Sequence, residues 1–206
     1  MVSQRSALRV SILAVGLLGA SLARAVPITT DFEGFSDLQS VTTQVAGLTF
    51  SNTTVLTSGA AGGSLNEIDF PPHSGVNVVI DDGGPIEIAF AAPIVSFGAY
   101  FTYAAELTLS AYDGLAFLGS VNSLFISNFA SSGETPNELV QIDGLGSFTR
   151  ITIEGDAFGG SFTMDDLTAT PAVAVTLVPE PNVLLLVLAG LALLALARRR
   201  RRSSSH

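Results

Sequence analysis

Val183 to Ala197 is an uninterrupted apolar run of 15 residues, followed at once by Arg198, Arg199, Arg200, Arg201 and Arg202. A surface helix of a soluble domain needs a polar face, which this run lacks, so the segment has to be set aside before any fold is read. As a helix it reaches about 22 Å at roughly 1.5 Å per residue, short of the roughly 30 Å hydrocarbon core of a bilayer. It spans only if the arginines snorkel or the bilayer thins. Positive residues stay on the cytoplasmic side, so the arginine block is expected to stop transfer and leave the preceding chain outside.

The other end is also a targeting pattern. Arg5 and Arg9 stand in a stretch without acids, Val10 to Ala23 is mostly apolar, and Ala23-Arg24-Ala25 puts small residues where a signal peptidase reads. Residues 1–25 are therefore expected to be an export signal helix removed by signal peptidase, with Val26 as the first mature residue. The competing reading, a buried first helix, needs a polar face that Val10 to Leu22 does not have.

Just before the apolar run stands Val178-Pro179-Glu180-Pro181, where each proline fixes φ and turns the residue before it away from helix. A rigid polar motif, a short apolar helix and a basic cluster, in that order, resemble the PEP-CTERM sorting signal of Gram-negative bacteria. The resemblance covers Val178 to Arg202. It implies an exosortase, a membrane-embedded transpeptidase-like enzyme, that cleaves near the triplet, and it is associated with producers of extracellular polysaccharide. The expected division is a signal peptide at 1–25, a domain at 26–170, a linker at 171–182, a transmembrane helix at 183–197 and a basic cytoplasmic tail at 198–206. The short helix favours removal of the tail; the alternative is a permanent single-pass anchor that leaves the domain outside the inner membrane.

Between the ends, residues 26–178 hold 17 acids and one cation, Arg150, a formal charge of −16. With no lysine in the chain, nothing can neutralise a row of phosphates, which excludes nucleic acid as a partner. Anionic membrane surfaces are excluded in the same way, whereas divalent cations suit such a surface. Cysteine is absent, so a hydrophobic core or a metal must hold the domain.

The periodicity of that domain is two. Ile86, Ile88 and Phe90 alternate with Glu87 and Ala89; Leu107, Leu109 and Ala111 alternate with Thr108, Ser110 and Tyr112. Similar runs fall at 41–50, 76–80, 94–102, 115–121, 138–142, 148–154 and 161–168. Turn formers separate them at Asp81 to Pro85, Asp113-Gly114, Asp143-Gly144, Gly155-Asp156 and Gly159-Gly160. The pattern predicts an all-β fold, an antiparallel β-sandwich of eight to ten strands, with a tight hairpin at Asp113-Gly114 and loops at 58–64 and 128–137. Ile86, Ile88, Phe90, Leu107, Leu109, Ile151 and Ile153 should face the core.

Asp31-Phe32-Glu33-Gly34-Phe35, Ile86 to Phe90, Ala111-Tyr112-Asp113-Gly114 and Phe162 to Leu167 together resemble the jelly-roll domains of PEP-CTERM proteins and of carbohydrate-binding modules, although tryptophan, common on sugar-binding faces, is absent. This resemblance implies a structural Ca²⁺ built from Asp31 or Glu33 with Asp165. Strict alternation would put Asp165 and Asp166 on opposite faces, so only one of them could serve. Tyr100 and Tyr112 alternate away from apolar neighbours. They read either as a sugar-stacking pair or as ordinary sheet stabilisers. His73 in Pro71-Pro72-His73-Ser74-Gly75 reads as a solvated loop histidine, no serine sits in a nucleophile elbow, and Asn52-Thr53-Thr54 fits a glycosylation sequon. The function expected is that of an exported, non-enzymatic surface or matrix protein associated with exopolysaccharide. A carbohydrate-binding module or adhesin is one alternative; the other is a secreted hydrolase, which would need two close carboxylates among many solvated ones.

Overall fold

The computed structural model describes residues 25–172 and Leu191. The sorting motif, the apolar run apart from Leu191, the arginine block and the signal segment before Ala25 lie outside the described residues.

Nine strands make the fold: β1 (Ile28–Thr30), β2 (Leu48–Ser51), β3 (Thr53–Thr57), β4 (Asn77–Asp81), β5 (Ile86–Tyr103), β6 (Thr108–Asp113), β7 (Ala116–Asn122), β8 (Glu138–Glu154) and β9 (Phe162–Pro171). All pair antiparallel, in the order β3-β4-β9-β5-β8-β6-β7, with β1 on β9 and β2 on β5. The expected β-sandwich is what forms, and two long strands shape it. β5 and β8 each run through both layers. Their 86–90 and 150–153 portions pair together beside β2 and β6 (Ile86↔Ile153). Their 96–101 and 138–143 portions pair beside β9 (Phe101↔Glu138).

The sequence read each of these long strands as two. In β8 the turn expected at Asp143-Gly144 is instead a bend within the strand, with Gly144 and Gly146 at φ 71° and 82°. In β5 the register shifts between Ala89 and Ile94 and again before Ser96. Pro93 lies in this corner, where it has no ladder hydrogen bond to lose. Phe90 bridges the corner, its ring 6.2 Å from Phe97 and 6.3 Å from Phe148.

One apolar core lies between the layers. All seven residues expected there are buried, together with Phe97, Ala99, Phe101, Phe148, Met164 and Leu167. Asp113 pairs with Ala116 around Gly114 (φ 58°), giving the tight hairpin that the Asp-Gly pair announces. The run at 41–50 becomes a strand only from Leu48, after a turn at Gly47 (φ 83°). β3 carried no period-two signal because Thr53, Thr54 and Val55 are all buried. The two threonine hydroxyls are satisfied there by Val41 O (2.8 Å) and the Asp82 carboxylate (2.7 Å).

Candidate functional site

Among the side chains that alternate away from the core, those on the β1-β9-β5-β8 sheet form a polar face. Its central device is a bulge in β9. Gly98 pairs with Thr168 and Tyr100 with Asp165, so Asp166 and Leu167 together oppose Ala99. The extra residue is Asp166, which takes a left-handed conformation (φ 46°) that aspartate tolerates better than most side chains. Strict alternation fails at that point. Leu167 returns to the core, and both aspartates reach the same outer loop.

That loop is the segment predicted to be solvated. Asp165 Oδ2 accepts hydrogen bonds from the backbone N–H groups of His73 and Ser74, each at 2.9 Å, and Oδ1 accepts from Asp166 N at 2.7 Å. Asp166 accepts from the Ser74 hydroxyl (2.9 Å) and stands 2.5 Å from His73 Nδ1. The His73 ring stacks on Tyr100, with centroids 3.5 Å apart and planes 7° from parallel. His73 therefore has two partners. Neither was legible locally, because Asp166 is 93 positions away in the chain. Asp165 is buried, and burial pushes its pKa up to about 6 against the pull of the Ser74 N–H. The negative charge of Asp166 pushes the same way.

The expected calcium ligands are each engaged by backbone N–H donors. Glu33 Oε1 accepts from Val76 N (2.9 Å) and Asn77 N (2.8 Å), further along the loop that Asp165 holds. Gly75 (φ 53°) permits this approach, since a Cβ there would collide with the Glu33 carboxylate. Asp31 Oδ1 caps its own turn by accepting from Glu33 N at 3.2 Å. Each carboxylate is occupied by backbone donors, and among the described residues no three acidic or histidine side chains converge as a metal site. A calcium site at Asp31 or Glu33 with Asp165 is tested by the unfolding midpoint of the full chain: a midpoint that climbs with calcium concentration would establish the site, and the same midpoint in EDTA and in millimolar Ca²⁺ would remove it.

The tyrosines do not form a pair. Tyr100 belongs to the layer just described. Tyr112 lies on β6 in the other layer, its ring 5.6 Å from Phe117 and under the Arg150 guanidinium at 4.2 Å. Arg150 also binds Glu87 at 2.7 Å, so the single cation of the domain stabilises that sheet. Tyr112 is accordingly a packing residue.

Two adjoining clefts open on the face around Asp166. One, of about 370 Å³, is lined by Thr29, Thr30 and Asp31 with Asp166, Leu167 and Thr168. The other, of about 260 Å³, has Ser96, Gly98 and Tyr100 of β5 in its middle, with Leu139 and Gln141 of β8 on one side. Asp166 and Thr168 close its other side and belong to both clefts. Gly98, isolated inside a predicted strand, was the available sequence signal for a close approach to the backbone.

Fold and C-terminal signal together define an exported β-sandwich protein sorted to the cell surface. Residues 177–202 match the PEP-CTERM protein-sorting motif, the signal through which an exosortase sorts its substrates. No curated protein sequence matches the chain. Similar solved structures include the K2 cleaved adhesin domain of Lys-gingipain (12% identity, 70% of this chain and 99% of that one, TM-score 0.43). TmCBM61, solved in complex with β-1,4-galactotriose, is 15% identical over 62% of this chain and 90% of its own, with a TM-score of 0.37. A mutant of the family 29 carbohydrate-binding module CBM29-2 is 12% identical over 71% and 93%, with a TM-score of 0.40.

Proposed function

We propose that this chain is an envelope or matrix protein of a Gram-negative bacterium: exported through its N-terminal signal, released from its C-terminal helix by an exosortase, and associated with exopolysaccharide without acting on it as an enzyme. The observation that carries the reading is the sorting motif at 177–202 directly behind a folded, cysteine-free β domain. Its acidity supports an extracellular existence, because a net charge far from zero keeps a protein soluble.

A non-enzymatic role is supported by how the reactive groups are used. Ser74 Oγ donates to Asp166, not to a histidine nitrogen, so the His73-Asp166-Ser74 group lacks the nucleophile–base contact of a hydrolytic triad. Asp165 and Asp166 are neighbouring carboxylates, but Asp165 is buried under the loop it anchors, where no substrate reaches it.

Mass spectrometry of both termini of the surface-displayed protein tests the sorting reading. In a host with an exosortase the expected species begins near Val26 and ends near Pro179 to Pro181. Surface protein that still carries Arg198 to Arg202 would refute processing. Glu180→Ala is expected to leave the protein in the membrane fraction.

A further inference from the structure

We propose that the groove crossing β1, β9, β5 and β8 seats an uncharged polysaccharide chain, with the Tyr100 ring against one sugar and Gly98 beneath it. The assignment rests on the polysaccharide reading above and adds the site and the class of sugar to it.

The shape comes first. Two clefts that share Asp166 and Thr168 make one continuous depression across four strands, about 14 Å at roughly 4.8 Å per strand spacing, which suits an elongated ligand lying across the sheet. Gly98 makes its floor. The glycine is not there for conformational reasons, since its backbone is ordinary strand. The atoms nearest to a Cβ there would be Gln141 Cβ (3.4 Å), Gln141 Cγ (3.5 Å) and Leu139 Cδ1 (3.7 Å), which is normal packing distance. What glycine provides is space at the centre of a sheet, where most residues would fill it.

Tyr100 supplies a wall that is fixed in advance. His73 covers one face of its ring and is itself tied to Asp166, while the loop bearing His73 is anchored on Asp165. Tyr100, half-buried, also lines the cleft. An aromatic surface that needs no ordering on binding retains more of its contact energy. Around it, Ser96, Gln141 and Thr168 present hydroxyl and amide groups, which donate and accept as sugar hydroxyls do.

Charge selects the class. The groove carries the carboxylates of Asp31 and Asp166, and the domain's one cation, Arg150, is engaged with Glu87 and Tyr112 in the other layer. A uronate or sulfated chain would meet like charge there, with Arg150 held in the other layer.

The test uses the full chain in detergent and exopolysaccharide purified from the producing cells, before and after chemical reduction of any carboxyl groups. The expected result is saturable binding, equal or tighter after reduction, that weakens about tenfold in Tyr100→Ala and in Gly98→Ala and less in Gln141→Ala. Glu154→Ala, on a strand end of the other layer, should bind as the parent does, and unchanged unfolding midpoints exclude misfolding of the variants. Binding that disappears on carboxyl reduction overturns the uncharged class. Binding indifferent to Tyr100, Gly98 and Gln141 overturns the groove and leaves the polysaccharide association standing. Absence of any binding to either material removes that association itself.

Discussion

Replacing Asp81 by Ala is expected to lower the stability of the fold by about 4 kcal/mol, read as a fall in the denaturant midpoint at unchanged slope. Asp81 ends β4 with its side chain fully buried. Its carboxylate accepts from Ser161 N (2.9 Å) and Phe162 N (3.1 Å) through Oδ1 and from the Ser161 hydroxyl (2.8 Å) through Oδ2. These bonds start β9, the strand on which the outer groove and part of the core depend. Burial raises the pKa of Asp81, and the three donors oppose the rise. Alanine leaves two backbone N–H groups buried without an acceptor, each at about 1–3 kcal/mol. Asparagine keeps one acceptor but turns an amide N–H₂ towards donors, so it should be little better. Glu154→Ala, an exposed carboxylate, is the control and should stay within about 0.5 kcal/mol. Equal midpoints for the two variants would mean that the Asp81 network does not hold β9.

The contrast between Asp81 and the outer groove shows where the sequence was informative. Alternation found the core because burial on one face of a strand imposes a period of two, and Ile86, Ile88, Leu107, Leu109, Ile151 and Ile153 obey it. The Asp-Gly pair found the β6-β7 hairpin because the turn needs a positive φ. The same turn chemistry misled at Asp143-Gly144, where glycines bend a continuing strand. Asp81 was assigned to a turn, since nothing in Asp81-Asp82-Gly83 says which carboxylate will be covered by residues 161 and 162. At the groove, alternation predicted opposite faces for Asp165 and Asp166, and one extra residue in β9 put both on the same loop. A bulge has no local sequence signature beyond a residue that tolerates positive φ, and its partners lie far away in the chain. Tyr100 and Tyr112 were equivalent by pattern. They differ only through long-range neighbours, His73 for one and Arg150 for the other.

Asp165 should make the fold less stable as pH rises from about 4 to about 6. Its carboxyl is held up at about 6 when folded, against 3.8 for an ordinary aspartate, because the native state buries it and places the Asp166 charge beside it. The folded protein then binds this proton more tightly than the unfolded chain does. Where the native state holds more protons, stability falls with increasing pH. The contribution is fully present below about pH 4 and lost by about pH 6. Two pKa units at about 1.4 kcal/mol each bound it at roughly 3 kcal/mol. The half-buried carboxylates Asp37, Glu67 and Asp69 act in the opposite sense. Hydrogen bonds to each lower its pKa, so what they contribute is present above about pH 4 and fades below it. The two windows are separate. Asp165→Asn removes the first and leaves the second, so the stability difference between wild type and variant isolates the buried proton. That difference should change steadily in favour of the variant between pH 4 and 6 and be level on either side. Around the carboxylate stand His73, Tyr100 and Asp166. Repeating the comparison in a His73→Gln background separates them: a slope that persists belongs to Asp165, and a slope that vanishes with the imidazole would assign the pH dependence to His73.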